Sequence, residues 1–189
     1  MKYLNKIIKR IVLIDLFSVE ERERTEFKVT ENLDNYLIEK NIITNSYFPN
    51  SIEEVDQIFR EIINLDNGLG LIIHLNSHSA QQAVRFGNID FSVEWNYIYD
   101  YLRILNANTN DGLIMNTSIM CYGENIFQLI ENFPKPFYAA IGSKTNKSLQ
   151  ALYHNKEIYK KCLNFDFAAH WLQVVNNNFE EIQYELKFA

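Results

Sequence analysis

Cysteine, proline and glycine are all scarce in this chain. Its 189 residues include two cysteines, three prolines and six glycines. Two cysteines are too few for a disulfide framework, and such a small number is typical of a protein in a reducing compartment. So few glycines and prolines argue against long flexible linkers. The length suits one sizeable core, and we therefore expect a single domain over residues 1–189.

A long apolar run and an excess of positive charge are also missing. No stretch approaches the roughly 20 apolar residues that a membrane-spanning helix needs. The N-terminal run resembles a signal peptide at first, but Lys9, Arg10 and Asp15 interrupt it, and no small-residue cleavage site follows. The net charge of −6 argues against a protein that holds nucleic acid by its phosphates. We therefore expect a cytoplasmic protein that contacts neither a membrane nor nucleic acid directly.

What the sequence contains is a regular alternation of strand-like and helix-like runs. Strands are predicted at residues 11–17, 41–48, 69–75, 113–120, 137–141 and 181–188, the last of them antiparallel at an edge. Helices are predicted at residues 25–40, 51–66, 93–105, 123–132, 146–162 and 165–175, and residues 80–91 as an irregular loop or hairpin. This alternation predicts an α/β fold, a three-layer sandwich with a mainly parallel central sheet flanked by helices.

Two of the four histidines lie four residues apart in the segment GLGLIIHLNSHS, residues 68–79. A His-x-x-x-His pair on a helix can bind zinc, and hydrolytic versions carry Glu after the first His. Here that position is Leu75, and the glycines and β-branched residues favour a strand instead. We therefore expect no metal site. His74 is predicted to be a packed or hydrogen-bonded strand residue, and His78 to lie just past the carboxyl end of that strand.

A second apolar strand, in DGLIMNTSIMCYG at residues 111–123, is followed by a cysteine, Cys121. Adjacent parallel strands lie about 4.8 Å apart, and their carboxyl ends share one rim. We predict that the two strands are adjacent and parallel, so that His78 and Cys121 lie at one rim and face the same cleft. A helix beginning near Gly123 and a nearby imidazolium would both favour the thiolate that nucleophilic catalysis requires. The spacing also leaves open a small, buried and unreactive cysteine.

Several segments in order resemble the caspase-like cysteine peptidases, a group that includes caspases, gingipains, legumain, separase and the CHAT domains. The resemblance is to the CHAT type most of all, and it covers residues 69 to 163. The segments that carry it are IIHLNSHS, WNYIYDYL, GLIMNTSIMCYG, PFYAAIGSK and KEIYKKCL. It implies a caspase-like central sheet and a bacterial cysteine endopeptidase that cleaves a protein or peptide substrate. It also implies a regulatory protein partner that gates the enzyme.

The resemblance also implies residue roles. His78 would be the general base and acid, Cys121 the nucleophile, and the backbone N–H groups of Ser79 and Cys121 the oxyanion hole. That chemistry uses no metal and no organic cofactor. The sequence departs from the family at Ser79, where Gly is preferred, and at Met120, where many members have Asp or Ala.

Two segments, one after the first strand and one after the fifth, are expected to form the pocket for the substrate residue before the cleaved bond. Its candidates are Glu20, Glu21, Arg22 and Arg24 on one side and Ser143 and Lys144 on the other. An inward carboxylate would select Arg or Lys, and an inward cation would select Asp or Glu. The acidity of the chain and the glutamates of the first segment favour a basic substrate residue.

Three other functions compete with the peptidase. A receiver-like phosphorylation domain would use Asp15, Thr117 or Ser118, and Lys144, but its acceptor aspartate is missing after the third strand. A nucleotide-binding domain would need a Gly-rich loop after the first strand, and none is present. A caspase-like fold without activity, serving as a protein-binding module, stays open because Ser79 replaces the preferred Gly. Cys162, His154 and His170 are predicted to be packing or surface residues.

Overall fold

The computed structural model describes residues 8–24, 28–68, 70–118, 120–144, 159 and 184–189. The helices predicted at 146–162 and 165–175 lie outside the described residues, apart from Tyr159. The same holds for Cys162, His154 and His170. In the described part of the chain, no helix has the length and apolar character that crossing a membrane requires.

The central sheet has six strands, which are Arg10–Asp15 (β1), Ile43–Tyr47 (β2), Leu71–Asn76 (β3), Leu113–Thr117 (β7), Ala139–Ser143 (β8) and Tyr184–Phe188 (β9). They lie side by side in the order β2-β1-β3-β7-β8-β9. The first five are mutually parallel, and β9 runs antiparallel to β8 at the edge. The predicted mainly parallel sheet with an antiparallel last strand is confirmed, and so is the adjacency of β3 and β7.

A small second sheet follows β3 and occupies the segment predicted as a loop or hairpin. It consists of His78–Ser79 (β4), Arg85–Gly87 (β5) and Ser92–Glu94 (β6), all antiparallel. Gly87 permits the turn, since a Cβ there would lie 2.3 Å from the Phe91 carbonyl oxygen. Strands of two or three residues are too short to show an alternating pattern, which is why the sequence indicated only a hairpin here.

Helices cover both faces of the central sheet. They are Val19–Arg22 (α1), Val29–Glu39 (α2), Ile52–Asn64 (α3), Trp95–Asn108 (α4) and a 3₁₀ helix at Gly123–Glu131. The helix α1 was not predicted, because four residues show no periodicity, and the helix predicted at 123–132 is 3₁₀ rather than α. The strand predicted to reach residue 120 ends at Thr117, because the side-chain oxygen of Asn116 accepts the Ser118 N–H in place of a neighbouring strand.

Alternate strand residues pack into two apolar layers, as expected from the pleat of the sheet. On one face Val12, Ile73 and Met115 join a large core formed with α3, α4 and the 3₁₀ helix. On the other face Ile11 and Leu13 pack against α2. The predicted three-layer α/β sandwich is therefore confirmed.

The α2 face also carries a buried polar row at the carboxyl ends of the strands. It contains Asp15, Thr30, His74, Asn76, Asn116 and Tyr159, none more than 1 % exposed. In its first half, Asn76 Nδ2 donates to Thr30 Oγ1 (2.5 Å), and the Thr30 hydroxyl donates to Asp15 Oδ2 (2.6 Å). The other carboxylate oxygen of Asp15 accepts the N–H of Phe17 (3.0 Å).

The second half of the row contains His74. The prediction that His74 is a hydrogen-bonded strand residue is confirmed. Because the amide nitrogen of Asn76 serves Thr30, its oxygen faces His74 Nε2, which therefore carries the proton (2.6 Å). His74 Nδ1 then accepts from the Tyr159 hydroxyl (2.9 Å), which itself accepts from Asn116 Nδ2 (3.2 Å). Burial lowers the pKa of His74 to about 4, against the opposing hydrogen bond to Asn76, so the ring is neutral.

Burial affects Asp15 in the opposite sense. It raises the pKa of Asp15 to about 6, although hydrogen bonds from Thr30 and Phe17 and the charge of Arg22 oppose the rise. In the folded protein Asp15 therefore binds its proton more tightly than in the unfolded chain. Its contribution to stability is fully present below its unfolded pKa and is lost as the pH rises through about 6.

We expect Asp15→Asn to remove this pH dependence. Relative to the variant, the free energy of unfolding of the natural protein should fall by about 2 kcal/mol between about pH 4.5 and about pH 7.5. Urea titrations of both proteins at the two pH values measure the difference, and the titration of His74 cancels because both proteins retain it. A constant difference would show that Asp15 is ionised throughout that range.

Candidate active site

The site lies at the carboxyl rim of β1, β3 and β7. The first two strands end on Asp15 and Asn76, and Asn116 is the residue before the last of β7. The side chain of Asp15 accepts the backbone N–H two residues on, and Asn116 does the same for Ser118 (3.0 Å in both cases). Such Asx turns direct the chain out of the sheet. The turns therefore fix the direction in which the chain leaves β1 and β7 at this rim.

His78 lies two residues beyond β3, as predicted, and begins β4. Its side chain is 44 % exposed, and its Nε2 lies 2.6 Å from Oε1 of Glu21. The Phe17 ring meets the imidazole edge to face with 5.1 Å between the ring centroids. Two residues of the loop after β1 therefore fix the position and the orientation of the His78 ring.

Glu21 is held in turn by the N-terminus of α1. Its Oε2 accepts the N–H of Ser18 (2.8 Å), and the Ser18 hydroxyl accepts the N–H of Glu21 (3.3 Å), which together form a capping box. Partial burial alone would raise the pKa of Glu21. The hydrogen bonds from His78 and Ser18 outweigh that effect, so the pKa lies below its ordinary value and the carboxylate is ionised at neutral pH.

Cys121 lies in the turn between β7 and the 3₁₀ helix, and it is partly exposed. The turn closes tightly, because the Thr117 hydroxyl shares its one hydrogen between the carbonyl oxygens of Gly123 (2.7 Å) and Ile141 (2.9 Å). A Cβ on Gly123 would lie 1.9 Å from the Thr117 carbonyl oxygen. A Cβ on Gly142 of β8 would lie 2.4 Å from the backbone nitrogen of Glu124. Direct backbone packing on β7 and β8 therefore fixes where the cysteine turn sits.

Asn125 joins the histidine loop to the cysteine segment. From the first turn of the 3₁₀ helix its Nδ2 donates to Ser79 Oγ (3.1 Å) and to the Ala80 carbonyl oxygen (2.8 Å). Ser79 does not adopt a left-handed backbone conformation, so its Cβ brings no backbone strain. The side chain of Asn125 therefore connects the segment that follows Cys121 to the loop that follows His78. Asn125 was not among the residues predicted for the site.

The pocket candidates after β1 lie in different surroundings. Both oxygens of Glu21 are engaged by His78 and Ser18, as described above. Arg22 donates to Asn50 Oδ1 (2.8 Å) and to the Asp15 carbonyl oxygen (3.4 Å), and its guanidinium lies over the Phe48 ring. Glu20 and Arg24 are exposed.

The two pocket candidates after β8, Ser143 and Lys144, differ in how exposed they are. Ser143 is fully buried at the end of the strand. Lys144 is exposed and forms an ion pair with Glu185 of β9, at 3.0 Å. Among the described residues, no group of three or more His, Cys, Asp or Glu side chains is placed to hold a metal ion.

Sequence reasoning missed the roles of Asn125, Asn76 and Asn116, and it placed Glu21 in the substrate pocket. Two signals for this part of the site are present in the sequence. Ser18-Val-Glu-Glu21 has the capping-box spacing, which predicts that the Glu21 carboxylate folds back on the N-terminus of a helix. An Asp or Asn also follows the apolar part of each of the three strands, which predicts Asx turns at the rim.

The structure is similar to the solved structure of a caspase. The Drosophila initiator caspase Dronc matches over 99 % of this chain and 82 % of its own, with a TM-score of 0.64 and 10 % sequence identity. Chaetomium thermophilum Raptor matches over 78 % of this chain and 16 % of its own, with a TM-score of 0.41 and 12 % identity, which is too distant to support an argument. No protein-family model and no curated protein matches the sequence. The chain therefore has a caspase-like fold, and at 10 % identity the likeness to Dronc establishes the fold alone.

We expect Asn125→Ala to loosen the loop after His78. The variant loses two hydrogen bonds, each worth about 1 kcal/mol, so amide hydrogen exchange in residues 79–83 should become about tenfold faster or more. Gln128→Ala is the control, since Gln128 lies on the same 3₁₀ helix and reaches the loop only through a 3.5 Å contact with the Ala83 carbonyl oxygen. Equal exchange rates in the two variants would argue against a tether at Asn125.

Proposed function

We propose that this protein is a cysteine endopeptidase that cleaves a protein partner, with Cys121 as nucleophile and His78 as general base and acid. One observation carries the proposal. The loop that begins at His78 and the helix that follows Cys121 leave neighbouring parallel strands, and Asn125 connects them. The caspase-like fold is consistent with this chemistry.

The proposed reaction is acyl transfer. His78 accepts the thiol proton, and the Cys121 sulfur attacks the peptide carbonyl carbon to give a tetrahedral oxyanion, which the N–H groups of Ser79 and Cys121 stabilise. The C–N bond then breaks, and the imidazolium returns the proton to the leaving amine. Water, deprotonated by His78, hydrolyses the thioester, releases the carboxylic acid and restores the thiol. These steps use no metal or organic cofactor.

The resemblance to CHAT-type peptidases extends this proposal to the regulation of the enzyme. A CHAT-type peptidase in a bacterial cytoplasm needs restraint, and we propose that a regulatory protein partner gates this one. The alternative is a caspase-like module that binds a protein partner without cleaving it. The two functions differ in one property that can be measured directly, namely whether Cys121 reacts as an activated thiol.

We expect iodoacetamide to alkylate Cys121 far faster than Cys162 at mildly acidic pH. Cys121 follows β7, which pairs with the strand that leads to His78. In the proposed site the imidazole of His78 favours the thiolate of Cys121. Mass spectrometry of the alkylated peptides gives both rates in one sample, with His78→Ala as the matched variant. Equal rates for the two cysteines in the natural protein would favour the binding module.

The substrate pocket is proposed to accept a basic residue before the cleaved bond. Two of the cations that could select an acidic residue, Arg22 and Lys144, have partners in Asn50 and Glu185. The carboxylate of Glu20 is exposed on the first turn of α1. A bidentate pair between a carboxylate and a substrate arginine would give strong selectivity.

We expect a fluorogenic peptide library to be cleaved after Arg or Lys. The library offers each residue type before the cleavage point, and Cys121→Ala is the inactive control. The variant Glu20→Gln should reduce the preference for Arg by about tenfold, since a charged hydrogen bond is worth about 1.5–3 kcal/mol. Cleavage after Asp or Glu alone would contradict the proposed pocket.

A further inference from the structure

The carboxylate of Glu21 has neither of its oxygens to offer a substrate. Oε1 lies 2.6 Å from His78 Nε2, and Oε2 accepts the N–H of Ser18. The Glu21 side chain is 15 % exposed and that of His78 is 44 % exposed, so water reaches the contact mainly from the His78 side. A carboxylate fixed in this way before any ligand arrives is a preorganised partner for the imidazole.

The contact with Glu21 also determines which nitrogen of His78 can face a thiol. An ionised carboxylate only accepts hydrogen bonds, so His78 Nε2 carries a proton toward it. Phe17 fixes the plane of the ring from the side. In the neutral ring Nδ1 is then the basic nitrogen, and it is the atom that can take a proton from Cys121.

The segment that carries Glu21 is itself held in place. Asp15 accepts the N–H of Phe17, and Arg22 donates to the Asp15 carbonyl oxygen from the turn of helix next to Glu21. Asn88 of the small sheet donates to the Leu16 carbonyl oxygen (2.6 Å). The loop after β1 is therefore anchored at both sides of the residue that contacts His78.

We propose that Glu21 is a positioning residue that holds His78 in the tautomer and orientation required to activate Cys121, so that the site is a Cys–His–Glu triad. This inference rests on the function proposed above. It moves Glu21 out of the substrate pocket, where the sequence placed it, and leaves Glu20 as the acidic candidate there. Glu21 would act through His78 alone and would not contact the substrate.

The test compares Glu21→Gln with Glu23→Gln, which changes an exposed glutamate at the C-cap of the same helix. Glutamine keeps the capping box, because its side-chain oxygen can still accept the Ser18 N–H. The NH2 group of the glutamine would then donate a hydrogen bond to His78 Nε2. Because Nε2 must accept this bond, the neutral ring carries its proton on Nδ1. That tautomer cannot accept the thiol proton, and the imidazolium also loses its counter-charge.

The first readout is the pH profile of Cys121 alkylation by iodoacetamide, which needs no substrate. We expect Glu21→Gln to slow the reaction about tenfold at mildly acidic pH and to move the profile upward by about one pH unit, which corresponds to one charge interaction. Glu23→Gln should match the natural protein. Glu21→Asp keeps the charge on a shorter side chain and should recover part of the rate, which a merely structural role of Glu21 would not explain.

The second readout is turnover of the best library peptide. We expect Glu21→Gln to lower kcat about 10- to 1000-fold with KM nearly unchanged, as loss of general acid–base positioning would. A Glu21→Gln alkylation profile that coincides with that of Glu23→Gln would overturn the triad. Peptide cleavage that survives in Cys121→Ala would overturn the peptidase instead, and the alkylation profile would still decide the role of Glu21.

Discussion

The geometry of the rim depends on a buried chain of hydrogen bonds that all point the same way. Asn116 donates to Tyr159, Tyr159 to His74, His74 to Asn76, and from Asn76 the chain reaches the carboxylate of Asp15 through Thr30. Successive bonds of one direction polarise one another, and each unpaired group would be costly in this dry layer. The chain links β1, β3 and β7 at the points where their loops begin.

The positions of the candidate site residues depend on this buried row of hydrogen bonds. Asp15 also turns the backbone into the loop that carries Glu21, and Asn116 turns it toward the segment that carries Cys121. Beyond these turns, the packing of Gly123 on Thr117 and of Gly142 on Glu124 leaves the cysteine segment no room to shift. The exposed side of the site is thus built on groups that water does not reach, which suits chemistry that needs fixed distances.

The strands, most helices and the adjacency of β3 and β7 could be predicted because each follows from a local pattern. Apolar runs and capping residues report on their own segment, and chain connectivity restricts how parallel strands can be ordered. The small sheet and α1 could not be predicted in the same way, since elements of two to four residues carry no periodicity. The contact between Glu21 and His78 joins residues 57 positions apart, and no spacing rule connects them.

Hydrophobic periodicity specifies which faces of the strands and helices are buried. That pattern is enough to predict a mainly parallel α/β sandwich with a reactive residue type after each of two neighbouring strands. The contacts of each polar side chain depend instead on how these elements pack. Ser18 and Glu21 could have capped a helix anywhere on the surface, and the turn fixed by Asp15 brings that helix against His78. A hydrogen-bond partner depends on directions accurate to a fraction of an ångström, and those directions exist only once the sheet has packed.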